Sequence, residues 1–75
     1  MRHDVHIDAT RLCCPMPIFH AKKALSLMQA GQILCIDITE PGGVRGFETM
    51  CSSQGHEFLG CEEDLGIFSV RLRKG

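Results

Sequence analysis

Cys14-Pro15-Met16-Pro17-Ile18-Phe19-His20-Ala21-Lys22-Lys23-Ala24-Leu25-Ser26-Leu27-Met28-Gln29-Ala30-Gly31 decides where the first helix begins and which face it buries. Proline lacks a backbone N–H and has a fixed φ, so Pro15 and Pro17 suit a first helical turn, where that N–H would have no partner. From Pro15 to Ala30 the apolar residues Pro17, Ile18, Ala21, Ala24, Leu25 and Met28 recur at helical spacing, while His20, Lys22, Lys23, Ser26 and Gln29 lie off the stripe. Gly31 is the expected αL stop. Phe19 and Leu27 fall outside the stripe, as isolated surface apolar residues or as groups for a partner to cover.

Upstream, Val5, Ile7 and Ala9 alternate against His6 and Asp8, which predicts a half-buried strand over Val5 to Ala9. Downstream, Gln32 to Glu40 is β-branched and apolar, with Leu34, Ile36 and Ile38 on one face and Ile33, Cys35, Asp37 and Thr39 on the other. Pro41-Gly42-Gly43 breaks that strand. Val44, Phe47 and Cys51 then recur at helical spacing up to Gln54, and Gly55 ends the second helix. Glu57 to Leu65 and Ile67 to Arg73 flank Gly66 as a hairpin, in which Gly60 leaves the register of the first strand open and either Phe58 or Leu59 faces inward. The predicted fold is an α/β two-layer sandwich of β-α-β-α-β-β order. Its four-stranded sheet is mixed, with both helices on one face, because that arrangement buries every apolar stripe.

Seventy-five residues make one expected domain, 1–75, with one thin core. A net charge of −1 argues against general nucleic-acid binding, which needs an excess of Lys and Arg. Five cysteines are an odd number, and no apolar signal segment follows Met1-Arg2-His3-Asp4, so the thiols are expected reduced and the protein cytoplasmic. No apolar run is long enough to span a bilayer.

The chemistry centres on Cys14. A helix N-terminus offers free N–H groups and the positive end of the macrodipole, which favour an anion, and for cysteine that anion is the thiolate. A thiolate can attack a sulfur donor, hold the sulfur as a persulfide and pass it on. The alternative is a small apolar filler in a tight turn.

Ile7-Asp8-Ala9, Leu12, Cys14-Pro15-Met16-Pro17, Ala21-Lys22-Lys23-Ala24, Gly31-Gln32, Pro41-Gly42 and Gly55-His56-Glu57 together resemble the TusA/SirA-like sulfur-carrier family over nearly the whole chain. The resemblance implies the fold of the C-terminal domain of translation initiation factor three. It also implies a carrier that takes sulfane sulfur from a desulfurase, a rhodanese or another carrier and relays it towards tRNA thiolation, molybdenum cofactor work or sulfur oxidation. Cys14 is the implied persulfide site, Pro15 and Pro17 its scaffold, and Lys22 and Lys23 candidates for docking an acidic partner. The implied partners are a sulfur-donor and a sulfur-acceptor protein; from the residues themselves no cofactor, metal, membrane or direct nucleic acid is expected, and the open sheet face leaves room for a monomer or weak dimer. The chain departs from the family pattern at Arg11 and Cys13, and Gly43 stands where a Ser or Thr commonly caps the second helix.

Cys13 has two readings. It attacks a persulfide on Cys14 and leaves a strained vicinal disulfide, or it packs against the first helix and never meets the sulfur. Three other functions compete. His3, His6, Cys13, Cys14 and His20 could gather a metal, although they lack paired ligand spacing, and a strand would turn His3 and His6 to opposite faces. Lys22, Lys23, Arg71, Arg73 and Lys74 could meet nucleic acid, against which stand Glu57, Glu62, Glu63 and Asp64. A thiol-disulfide oxidoreductase would need cysteines two residues apart rather than adjacent. Cys51 reads as core, and Cys35 and Cys61 as strand residues without a charge partner.

Overall fold

The computed structural model describes residues 3–75 as β1 (Val5–Asp8), α1 (Met16–Ser26), β2 (Ile33–Ile38), α2 (Gly43–Gln54), β3 (Glu57–Asp64) and β4 (Ile67–Arg73). Met1 and Arg2, where the reading of a leader began, lie outside the described residues. The strands form one sheet in the order β1-β2-β4-β3, with β1 parallel to β2 and the other two pairings antiparallel. A crossover through α1 and a terminal hairpin produce this mixed sheet, as the element order predicts.

The period-2 alternation sorts the sheet's side chains. Leu34, Ile36 and Ile38 of β2 and Val70 and Leu72 of β4 meet Ala21 and Leu25 of α1 and Phe47, Met50 and Cys51 of α2 in one buried cluster. Both helices therefore cover the same face. The opposite face carries His6, Cys35, Asp37, Ser69 and Arg71, and it is not uniformly wet, since Cys35 is only 5 % exposed. In register Cys35 stands between His6 on β1 and Arg71 on β4.

Three local expectations are corrected. α1 ends at Ser26 rather than Ala30: Leu27 and Met28 donate to the carbonyls of Ala24 and Leu25 in tightened i→i−3 bonds, and the Ser26 hydroxyl donates to Lys23 O at 2.6 Å. Met28 still reaches the core, so the apolar period outlasts the helix. Gly31, at φ 91°, belongs to the following turn and donates to Lys74 O instead of capping α1. The N-cap of α2 is Gly42, with Gly43 the first helical residue; a Cβ at Gly43 would come within 3.0 Å of Ile38 Cδ1, so the helix start packs tightly on the end of β2. In the terminal hairpin a bulge at Leu59 resolves the register. Phe58 pairs opposite Leu72 and packs on the core, and Gly60 takes φ 148°.

Candidate functional site

The loop from β1 to α1 is held at successive points. Oδ1 of Asp8 accepts bonds from both the backbone N–H and the hydroxyl of Thr10, at 3.1 and 2.7 Å, and these two bonds hold the Asp8 carboxyl below its usual range. The Leu12 N–H donates to Ala9 O and its side chain packs on the core, while the Thr39 hydroxyl donates to Thr10 O. At the far end the Cys14 N–H donates to Oε1 of Glu40 at 2.8 Å, and Pro17 is buried. Cys13 and Cys14 are both exposed, free thiols.

Cys14 lines a small, mainly apolar groove with Pro17, Ile18, Ile38, Glu40, Gly43 and Phe47, where the N-terminal ends of α1 and α2 meet the end of β2. Glu40 escaped sequence reasoning. Its place between a strand and Pro41 looked like that of an ordinary turn residue, and its partner lies 26 residues away. The start of α1 lies one residue later than the sequence predicts. Pro15 is the N-cap and Met16 the first helical residue, so Cys14 stands just ahead of α1, joined to Pro15 by a cis peptide bond. The first-turn N–H groups are taken by the loop's own carbonyls: Met16 donates to Cys13 O, and Ile18 and Phe19 donate to Pro15 O. These N–H groups are therefore not free donors for the thiol. Cys13 is exposed beside Cys14 in the chain.

Lys22 and Lys23 diverge. Lys23 shares a shallow cleft with Met16, Phe19 and His20, whereas Lys22 faces another, lined by Ser26, Gln54, His56 and Lys74. Met16 and Phe19 are 43 % and 52 % exposed, so the surface next to the Cys14 loop is apolar with a cationic edge. Leu27 is exposed as well.

The other candidates separate in the fold. Arg71 pairs with Glu62 at 2.6 Å and Arg73 with Glu57 at 2.8 Å, so the basic end of the chain is largely neutralised by β3. Cys51 is core, and burial pushes its thiol up to about 11. Burial also raises Cys61, which packs on the core. The competing gathering of His3, His6, Cys13, Cys14 and His20 is not found among the described residues. Among the described residues the ligand-type group within reach of one ion is His6, Cys35 and Asp37, and the rings of His3 and His6 come to 5.5 Å because His3 precedes the strand. Burial and then the neighbouring Asp37 carboxylate raise the Cys35 thiol. Among the described residues no helix is long and apolar enough to cross a membrane.

Residues 5–74 match the family described as "Sulfurtransferase TusA". The chain is 38 % identical over 71 residues to the sulfur carrier protein TusA of Allochromatium vinosum, covering 95 % of this chain and 93 % of that protein. It is 36 % identical over 72 residues to the protein of the same name from Pseudomonas entomophila, with 96 % and 90 % covered. Among solved structures, the SirA-like protein of Desulfitobacterium hafniense superposes with a TM-score of 0.81 at 29 % identity, covering 96 % of this chain and 99 % of that one.

Proposed function

The chain belongs to the TusA family, and from that premise we propose that it is a sulfur carrier which holds sulfane sulfur as a persulfide on Cys14. The observation that carries the reading is the setting of Cys14: its side chain is exposed while its backbone N–H is tied to Glu40, so the sulfur meets a partner from a fixed position. In the transfer the Cys14 thiolate attacks the terminal sulfur of a donor protein's persulfide. One S–S bond forms, another breaks, and the donor's cysteine leaves as a thiolate. An acceptor protein's thiolate then takes the same sulfur by the same exchange. No net oxidation occurs and no cofactor is required.

Pro15 and Pro17 act as scaffold, Pro17 from the core side of the groove. Lys23, with Met16 and Phe19, forms the docking edge for a donor or acceptor of acidic and apolar surface. Residues 1–75 act as one unit in the cytoplasm, relaying sulfur to thiolation or other sulfur metabolism. The test is intact mass after incubation with a cysteine desulfurase and cysteine, and separately with polysulfide. Wild type and Cys13→Ser gain one reductant-labile sulfur atom and Cys14→Ser does not; an equal gain on Cys14→Ser removes the assignment.

A further inference from the structure

The outer face of the sheet, away from the helices and the Cys14 groove, carries a second group of reactive side chains. Nε2 of His6 lies 2.7 Å from Oδ2 of Asp37, Sγ of Cys35 lies 4.0 Å from Oδ1 of Asp37, and one donor atom from each residue falls within 4.8 Å of the others. All three sit on the parallel β1–β2 pair, where His6 stands directly opposite Cys35 and Asp37 follows on the same face, opposite Asp8. We propose that His6, Cys35 and Asp37 form a binding site for a zinc-class divalent cation, with solvent completing the coordination.

The donor set is one imidazole nitrogen, one thiolate and one carboxylate oxygen, a mixed N/S/O set that suits Zn²⁺. Metal–ligand bonds of about 2.0–2.3 Å put tetrahedral ligands about 3.5 Å apart. The observed spacings bracket that value, so a cation needs only side-chain rotation to enter. Asp37 is already oriented for the role. Its Oδ1 accepts the Ser69 hydroxyl at 2.8 Å, which fixes the carboxylate from the outside and leaves Oδ2 directed at His6.

Charge favours occupancy. Around the thiol stand His6 from β1, Asp37 from β2, Arg71 from β4 and Glu62 from β3, and Arg71 is already matched by Glu62. A thiolate at Cys35 would add a second negative charge beside Asp37, whose Oδ1 lies 4.0 Å from the sulfur. A divalent cation balances both anions. Nε of Arg71, cross-strand from Cys35, is buried without an acceptor among the described residues and offers an N–H to a metal-bound thiolate. Binding exchanges the Cys35 S–H bond for a sulfur–metal bond and releases that proton to solvent. It also breaks the His6–Asp37 hydrogen bond: the Nε2 proton moves to Nδ1 by exchange with solvent, Nε2 and Oδ2 each bind the cation, and no electrons move.

Cobalt(II) titration of the Cys13→Ser/Cys14→Ser double variant tests the site with the exposed thiols removed. The expected result is one equivalent bound, with sulfur-to-cobalt charge-transfer absorption displaced by zinc. Cys35→Ala abolishes that absorption, and His6→Ala, at an exposed position where folding is not at stake, weakens binding by about tenfold or more. Ser69→Ala lowers affinity by a smaller factor. Absence of the absorption in the double variant, or its survival unchanged in both Cys35→Ala and His6→Ala, overturns the proposal.

Discussion

The backbone N–H of Cys14 donates to the Glu40 carboxylate at 2.8 Å, joining the end of the β1–α1 loop to the residue that follows β2 and Thr39. The bond fixes the main chain of Cys14 and leaves its sulfur free. Glu40→Ala removes the tether, and we expect single-turnover sulfur transfer to fall about threefold to tenfold with stability lowered by about 1 kcal/mol. Glu40→Gln keeps an acceptor in place and retains most of the rate. Wild-type transfer by Glu40→Ala would show that Glu40 does not position the thiol.

Cys13 is exposed beside Cys14, so it is free to act as a resolving thiol. Its thiolate attacks the Cys14 sulfur of the persulfide, forming a vicinal disulfide and releasing hydrosulfide. The persulfide of Cys13→Ser should outlive that of the wild type severalfold, followed by intact mass over time without reductant. Equal lifetimes exclude the resolving role.

Because Lys22 and Lys23 face different clefts, reversing their charges should have unequal consequences. Lys23→Glu slows association with an acidic partner a few-fold and flattens its salt dependence, whereas Lys22→Glu has the smaller effect. Stopped-flow mixing at low and physiological salt distinguishes them. Identical responses would remove the assignment of the docking edge to Lys23.

Leu65, 95 % exposed, occupies φ 53° in the two-residue turn with Gly66 at φ 81°. Two positive φ values define a turn that prefers Asn-Gly, and leucine tolerates that region poorly. Leu65→Asn should raise stability by about 0.5–1 kcal/mol and Tm by about 2–8 °C without affecting sulfur transfer. Thermal unfolding followed by circular dichroism measures it; an unchanged or lower Tm contradicts this account of the turn.

Partial burial, and secondarily the charge of Lys74, lower the pKa of His56, and its Nδ1 accepts the Gly75 N–H at 3.0 Å, which requires a neutral ring nitrogen. A depressed folded-state pKa contributes stability that is present above the unfolded value near 6.5 and is lost as pH falls through the folded value. Denaturant unfolding should therefore weaken on acidification from neutral pH. His56→Gln should show a shallower decline, and a slope identical to wild type would show that His56 is not its source.

Local sequence determined much of this molecule. Pro15 and Pro17 announce the start of α1, the alternation of Leu34, Ile36 and Ile38 identifies the core face of β2, and glycines mark the turns, because these signals depend on spacings of two to four residues. The Cys-Pro-Met-Pro stretch likewise marked Cys14 without any tertiary information. What only the tertiary structure decided depends on register. The Cys14–Glu40 bond spans 26 residues and the His6–Asp37 pair 31, and neither leaves a periodic trace. The early end of α1 was equally hidden, since Met28 keeps the helical period while the last backbone bonds tighten to i→i−3. Side-chain period tells a residue which way to face; strand pairing decides whom it meets.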